Sequence, residues 1–143
     1  MSVPDLETWR ARWRTPERER LGVRGERIGD GFASFTVDLR YGDERDHDAL
    51  FASAAVTHAA DIAVLSAVMG HLDEHVQQQN GTASMHLNFL RPLVGVLTVE
   101  GRITSWGSHD AIVEIAAEDE RGTLVLKGLS TYSLRPREPR GDA

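Results

Sequence analysis

The 143-residue sequence contains no cysteine, which excludes disulfide bonds and thiol chemistry. It also lacks a surplus of positive charge, because 16 lysine and arginine residues stand against 22 aspartate and glutamate residues. The net charge of −6 argues against nucleic acid as a partner, since duplex binding needs a basic surface. A chain of this length suits one domain and can bury a sizeable core without covalent staples. We therefore expect a single domain over residues 1–143.

Long apolar runs are missing as well. The opening residues, MSVPDLETWR, do not resemble a secretory signal, and no segment is expected to match a membrane span of about 20 apolar residues. With no cysteine to oxidise, these absences favour a cytoplasmic protein without a membrane partner.

Helical periodicity begins near the N-terminus. Leu6, Trp9 and Trp13 fall on one face of a predicted short helix over residues 4–14. The following TPERER is predicted to be a charged connector, so residues 1–19 form an N-terminal helix and connector ahead of the core at 20–135.

A hairpin is predicted over residues 21–40. Gly29–Gly31 supplies a turn signal, and the residues after it alternate between polar and apolar as in a half-buried strand. The next segment, YGDERDHD at 41–48, is predicted to be a polar loop.

A long apolar helix is predicted from Ala49 to about Gln77. QQQNG would end it, with Gly81 as the stop. Asp61 lies in mid-helix, on a stripe whose members recur at spacings of three and four residues. The stripe comprises Leu50, Ala54, His58, Asp61, Leu65 and Val68. A carboxylate buried there would need a partner or a raised pKa, and functional sites tolerate that most often.

The remainder begins with TASMHLNFL and Arg91-Pro92 and predicts three strands with turns at GSHD and RG, which is typical of an antiparallel meander. The tail at 136–143 is predicted to be disordered. The order of elements indicates an α+β fold in which a sheet wraps the long helix.

The segments HAADIAV (58–64), HLNFLRPLVGVLTVEGRI (86–103) and DERGTLVLKGLSTYSL resemble the hot-dog acyl-CoA thioesterases of the phenylacetyl-CoA (PaaI-like) and hydroxybenzoyl-CoA type. The resemblance covers roughly residues 20–135. It implies an antiparallel sheet around one central helix, and hydrolysis of an acyl-CoA or related thioester without a metal or other cofactor.

One part of the family pattern is replaced. The His-Gly-Gly motif of the family falls here on Ala52-Ser53-Ala54. The resemblance implies that backbone amides near Ser53 and Ala54 stabilise the oxyanion, as donors at a helix N-terminus can. It also implies that Asp61 is the general base or the nucleophile.

Further candidates surround Asp61. His58, three residues earlier on the same face, would tune Asp61 or polarise the thioester, although a packed histidine fits as well. Thr57 would orient Asp61, or else bond its own backbone. In the family comparison Asp46 occupies a position near the facing subunit's site, yet it also suits a solvated loop.

Asn88 and Arg91 are candidates on and after the strand that follows. Arg91 would contact a CoA phosphate, or form a salt bridge at the rim. With Asp46 and Thr57 they make up the predicted substrate-binding set.

A competing motif is HLDEH at 71–75, which fits the H-x-x-E-H zinc pattern. The two histidines would share a helix face, but the helix is expected to run out there and no third ligand is apparent. Charged side chains at a solvated helix end are the alternative, and no metal is expected.

The resemblance also implies assembly. Hot-dog domains pair into one continuous sheet, so a homodimer, or a tetramer of two dimers, is expected. Two rival functions stay open: a non-catalytic acyl-CoA or lipid binder, favoured by the replaced motif, and an enoyl-CoA hydratase or dehydratase with His58 as the base.

Overall fold

The computed structural model of the chain describes residues 3–40 and 49–138. The loop predicted at 41–48, including Asp46, and the last part of the predicted tail lie outside these residues.

Two short helices open the described chain. α1 (Leu6–Trp13) is capped by Asp5, whose carboxylate accepts the backbone N–H of Thr8 at 3.0 Å. α2 (Pro16–Arg20) occupies the segment predicted to be a connector, and that prediction is wrong. Thr15 caps α2 and proline is its first residue, two local start signals that outweigh the high charge of PERER.

The predicted hairpin is confirmed. β1 (Val23–Gly29) pairs antiparallel with β2 (Phe32–Asp38), and Gly29 faces Phe32 across a two-residue turn. Gly31 in the turn has φ +70°, a conformation that side chains disfavour and glycine adopts freely.

The long helix is shorter than predicted. α3 (Ala49–His71) ends six residues before Gln77, and the segment QQQNG belongs to the next strand. Gly81, with φ +98°, lies at a register shift in that strand and is not a helix stop. The polar residues of this segment have little strand preference of their own. Their pairing with residues near the end of the described chain makes them a strand.

Four strands follow α3, one more than predicted: β3 (Gln77–Phe89), β4 (Val96–Trp106), β5 (Asp110–Glu118) and β6 (Leu124–Pro136). The sheet order is β1-β2-β4-β5-β6-β3, with every pairing antiparallel. Only β4, β5 and β6 form a meander, because β3 crosses over to pair with β6 at the far edge. Pro136, assigned to the tail in the prediction, is the last residue of β6.

α3 packs against this sheet, as the hot-dog resemblance implied. At the closest approach a Cβ built on Gly101 of β4 would lie 3.0 Å from the Ala63 carbonyl oxygen. α1 is joined to the same core because the buried Trp9 indole N–H donates to Ser66 Oγ of α3 at 3.2 Å.

The predicted stripe of α3 is not its most buried face. Ala54 is exposed, and His58, Asp61 and Leu65 are only partly buried, whereas Val68 is fully buried. Asp61 therefore borders the core rather than standing within it.

One expectation about membranes needs correction. Residues Phe51–His71 are long and apolar enough to cross a membrane by length and composition, with a mean hydropathy of 1.5. Within the fold, 61% of that stretch is buried against the rest of the protein. Its apolar character is thus used for packing in the core.

Candidate active site

A cleft of about 610 Å³ opens between α3 and β3. The cleft is lined by apolar, ionisable and hydroxyl-bearing side chains, which come from these two elements. The lining residues are Ser53, Ala54, Thr57, His58, Asp61, Thr82 and Met85. The helix therefore supplies all the candidates predicted on it, and β3 supplies Thr82 and Met85.

Asp61 is oriented by a threonine from across the cleft. The Thr82 hydroxyl donates to Asp61 Oδ1 at 2.8 Å. A hydrogen bond to a carboxylate is stronger than one between neutral groups and fixes the side-chain direction. The second oxygen, Oδ2, accepts no hydrogen bond from the described residues, so it is available to a reacting group.

A β-bulge brings Thr82 to this position. Thr82 pairs with Tyr132 and Ser84 with Thr131, which leaves Ala83 as an extra residue in β3. The insertion shifts the alternation of the strand, so Thr82 and Met85 both line the cleft although they are three residues apart. Bulges near sites commonly redirect a side chain in this way.

His58 is bound by an arginine from the N-terminal region. Arg18 Nε of α2 donates to His58 Nε2 at 3.1 Å, across 40 positions of sequence. Burial lowers the pKa of His58 below its ordinary value, and the Arg18 charge lowers it further, while Asp61 acts in the opposite direction. The imidazole is therefore held neutral at physiological pH.

Tyr132 of β6 adds a polar group behind the carboxylate. It is buried, and its hydroxyl donates to Gln79 Oε1 of β3 at 2.9 Å. Burial raises the pKa of this phenol, and the negative charge of Asp61 raises it further. Tyr132 thus remains neutral and braces the strand that carries Thr82.

The amides expected to bind the oxyanion are already engaged. Because α3 begins at Ala49, Ser53 and Ala54 lie beyond its first four residues, whose N–H groups alone lack helical partners. In a regular helix the N–H groups of Ser53 and Ala54 bond carbonyls one turn earlier. The structure differs here from the expectation, and the donors that remain in the cleft are side chains.

The other predicted binding residues differ in whether they line the cleft. Thr57 lines the cleft. Asn88 pairs with Lys127 near the end of β3, and Arg91 follows that strand; both are exposed and neither lines the cleft of the single chain.

The zinc motif does not form. His71 is the last residue of α3, and His75 lies in the turn beyond it, so the pair does not share a helix face. His71 Nδ1 lies instead 2.6 Å from Asp30 Oδ1 of the hairpin turn. Across residues 3–40 and 49–138, no group of three potential metal ligands comes together.

A larger groove of about 1030 Å³ lies between the N-terminal helices and the β1–β2 hairpin. Two of its arginines are committed to neighbours: Arg10 binds the Gly25 carbonyl, and Arg40 forms an ion pair with Asp38. None of the candidate residues within the described ranges lines this groove, so the chemistry points to the smaller cleft.

Comparison with known proteins identifies the family of the chain. Residues 53–126, which span α3 through the start of β6 and just over half of the chain, match the thioesterase superfamily. The chain belongs to the thioesterase superfamily. The matched segment includes Asp61, His58 and Thr82.

Individual relatives are distant. A candidate esterase from Saccharolobus solfataricus is 40% identical over 52 residues, a match that spans 36% of this chain and 35%, about a third, of that protein. The thioesterase HI1161 from Haemophilus influenzae shares the fold with a TM-score of 0.74 at 16% identity, covering 98% of this chain and 96% of that one. A hypothetical thioesterase from Streptococcus pneumoniae, solved with coenzyme A, has a TM-score of 0.60 at 16% identity, with 82% and 88% covered.

Sequence reasoning missed Thr82 and Arg18. Thr82 opens the segment TASMHLNFL, directly after the glycine that was predicted to stop the helix, and nothing local indicated that its hydroxyl would face Asp61. Arg18 is one of several arginines in a charged segment. The capping signal at Thr15-Pro16 could have revealed α2, but not the contact that it makes.

Proposed function

We propose that this protein hydrolyses an acyl-CoA, or a related acyl thioester, to the free acid and the thiol. The observation that carries the proposal is the Thr82–Asp61 hydrogen bond of 2.8 Å at the wall of the cleft. It places an oriented carboxylate beside an imidazole and two helix hydroxyls. Superfamily membership supports the reaction class.

The chemistry assigns one role to each group. Asp61 takes the proton of a water that attacks the thioester carbonyl, or attacks that carbon itself. The tetrahedral intermediate then collapses, the carbon–sulfur bond breaks and the thiolate leaves; in the first route it takes up the proton held by Asp61. In the second route a mixed anhydride remains on Asp61, and water hydrolyses it to the free acid while its proton goes to the thiolate. Because the Ser53 and Ala54 amides are engaged, side chains such as the His58 ring and the Thr57 hydroxyl stabilise the oxyanion.

Coenzyme A is proposed as the thiol because a similar structure, that of the Streptococcus pneumoniae protein, holds it. Arg91 is the proposed partner of a CoA phosphate, and Asn88 lies on the same segment. Because neither residue lines the cleft of its own chain, we assign them to the site of a second copy of the chain.

A homodimer joined along β3 supplies that second copy. β3 is an edge strand of thirteen residues. Four of the five exposed large hydrophobic residues found in the described ranges lie on or directly beside β3 and its neighbour β6, and the fifth, Val94, lies just before β4. The four are Val76, Phe89, Leu90 and Leu129. An unpaired edge flanked by apolar side chains favours pairing with another chain.

The test is release of free thiol from short, aromatic and long acyl-CoAs by wild type and Asp61→Asn. The amide keeps an oxygen that accepts the Thr82 hydroxyl but is neither basic nor nucleophilic, so we expect at least a hundredfold loss of kcat. Glu74→Gln, the same change at an exposed residue after α3, serves as the matched control. Unchanged turnover in Asp61→Asn would reject the assigned role.

The replaced His-Gly-Gly motif favours a second candidate function, binding of acyl-CoA without hydrolysis. This alternative predicts that wild type and Asp61→Asn bind acyl-CoA equally and that neither releases thiol. A hydratase reaction with His58 as the base predicts instead that an enoyl-CoA gains water while its thioester stays intact. Mass spectrometry of the products separates the three outcomes.

A further inference from the structure

Arg18 lies outside the matched superfamily segment and contacts His58, one of the residues that line the cleft. Its position is fixed from three sides. The Thr15 hydroxyl accepts the Arg18 backbone N–H at 3.3 Å, the guanidinium lies over the Trp13 ring at 5.0 Å from its centroid, and Nε donates to His58 at 3.1 Å. A cation held over an aromatic ring loses little freedom when it forms the hydrogen bond.

This contact determines the proton position on His58. An arginine side chain has only donors and stays protonated in proteins, so Nε2 of His58 must be the acceptor. A neutral imidazole carries one proton, which therefore resides on Nδ1. No described residue accepts that Nδ1–H, and His58 lines the cleft, so the donor is available to a bound ligand.

The charges around His58 favour the same neutral form. Arg18 from α2 is positive and Asp61 from α3 is negative, while Thr82 and Met85 across the cleft on β3 are uncharged. Arg18 and burial together outweigh Asp61, so protonation of the ring is disfavoured.

We propose that Arg18 is a positioning residue, which fixes His58 in the Nδ1–H tautomer so that the ring donates to the carbonyl oxygen of the bound thioester. The inference rests on the proposed function for the identity of the ligand. It gives the cleft the oxyanion donor that the Ser53 and Ala54 amides do not supply, and a preorganised neutral donor is effective in such a role.

The first experiment needs no turnover. Nitrogen-15 correlation spectra of the imidazoles, with His58 assigned by comparison with His58→Gln, report tautomer and titration in the free protein. We expect the Nδ1–H form in wild type. In Arg18→Gln, which can still donate a hydrogen bond but has no charge, the pKa of His58 should rise. Arg18→Lys keeps the charge and should preserve the wild-type titration. An Nε2–H tautomer in wild type would overturn the proposal.

The second experiment measures kcat and KM against pH with the acyl-CoA that wild type hydrolyses. Arg18→Gln should lower kcat roughly tenfold, the scale of one lost positioning interaction, with little change in KM. Its acid limb should move to higher pH, because His58 is protonated more readily. Arg20→Gln, an exposed arginine at the end of the same helix, is the control.

A double mutant separates positioning from mere folding. If Arg18 acts through His58, Arg18→Gln should cost nothing further in a His58→Gln background. Equal losses in both backgrounds would overturn the role. If wild type hydrolyses no thioester, the proposed function fails, while the spectra still decide whether Arg18 sets the tautomer.

Discussion

At the scale of residues, the site depends on two hydrogen bonds that cross between elements. Thr82 orients Asp61, and Arg18 orients His58. Each pair joins one group predicted from the helix stripe to one that was not predicted. The reactive groups were recognisable by type and spacing, whereas their supporting groups were not.

Thr82→Val tests the first of these bonds. Valine has the same shape but no hydroxyl, so Asp61 loses the one hydrogen-bond donor that the described residues supply to it and can rotate. A hydrogen bond to a charged group contributes roughly 1.5–3 kcal/mol, and we expect a loss of about tenfold or more in kcat. Steady-state kinetics with Thr82→Ser, which retains the hydroxyl, is the control. Equal activity in the valine and serine variants would show that the bond does not serve catalysis.

At the scale of elements, the position of α3 depends on close backbone contacts with the sheet. A Cβ on Gly70, near the end of the helix, would lie 2.6 Å from the Gly29 carbonyl oxygen in the hairpin turn. No side-chain rotation can relieve this contact, because the backbone fixes the position of the Cβ and the carbonyl oxygen is itself a backbone atom. The end of α3 can therefore lie this close to the β1–β2 turn only because Gly70 has no side chain.

Gly70→Ala should destabilise the fold, against the usual trend. In an ordinary helix interior this change stabilises by about 1 kcal/mol, but here overpacking should reverse the sign by roughly 1–3 kcal/mol. Urea denaturation measures the free energy of unfolding. Gly29→Ala is the control, because a Cβ there meets nothing within 4 Å. A more stable Gly70→Ala protein would contradict the close contact.

At the scale of the whole molecule, the sheet has two unlike edges. β1 is covered by α1, which packs on it, whereas β3 presents a long polar edge with apolar side chains nearby. Soluble domains seldom leave such an edge open. The difference between the edges is the reason for proposing assembly along β3.

The proposed homodimer has a measurable consequence at the middle of β3. In a two-fold antiparallel pairing of residues 77–89 with their copy, residue 83 meets itself near the axis. We expect wild type to have twice the 15.8 kDa chain mass in light scattering. Ala83→Lys places like charges together and should shift the protein toward monomer, while Ala83→Ser should not. A wild-type dimer that Ala83→Lys leaves intact would place the interface elsewhere.

Local sequence signals predicted most elements but not their partners. The hairpin at Gly29–Gly31 and the helix carrying Asp61 follow from turn chemistry and periodicity. β3 begins with QQQN, which carries no strand pattern, and the three glutamines pair with residues of β6 that lie more than fifty positions later in the sequence. The end of the helix was predicted too late for the same reason: Gln77 and the residues after it are in a strand because they pair with β6, and no local signal shows that pairing.

The sequence by itself determined an α+β domain, a long apolar helix, and an acid with a histidine one turn before it on that helix. These follow from spacing within one segment, where side-chain neighbours are fixed by helical geometry. The tertiary structure alone decided that Thr82 bonds Asp61 across 21 positions and that Arg18 bonds His58 across 40. Contacts of that range depend on how sheet and helix pack, and on the bulge at Ala83, which no local pattern encodes.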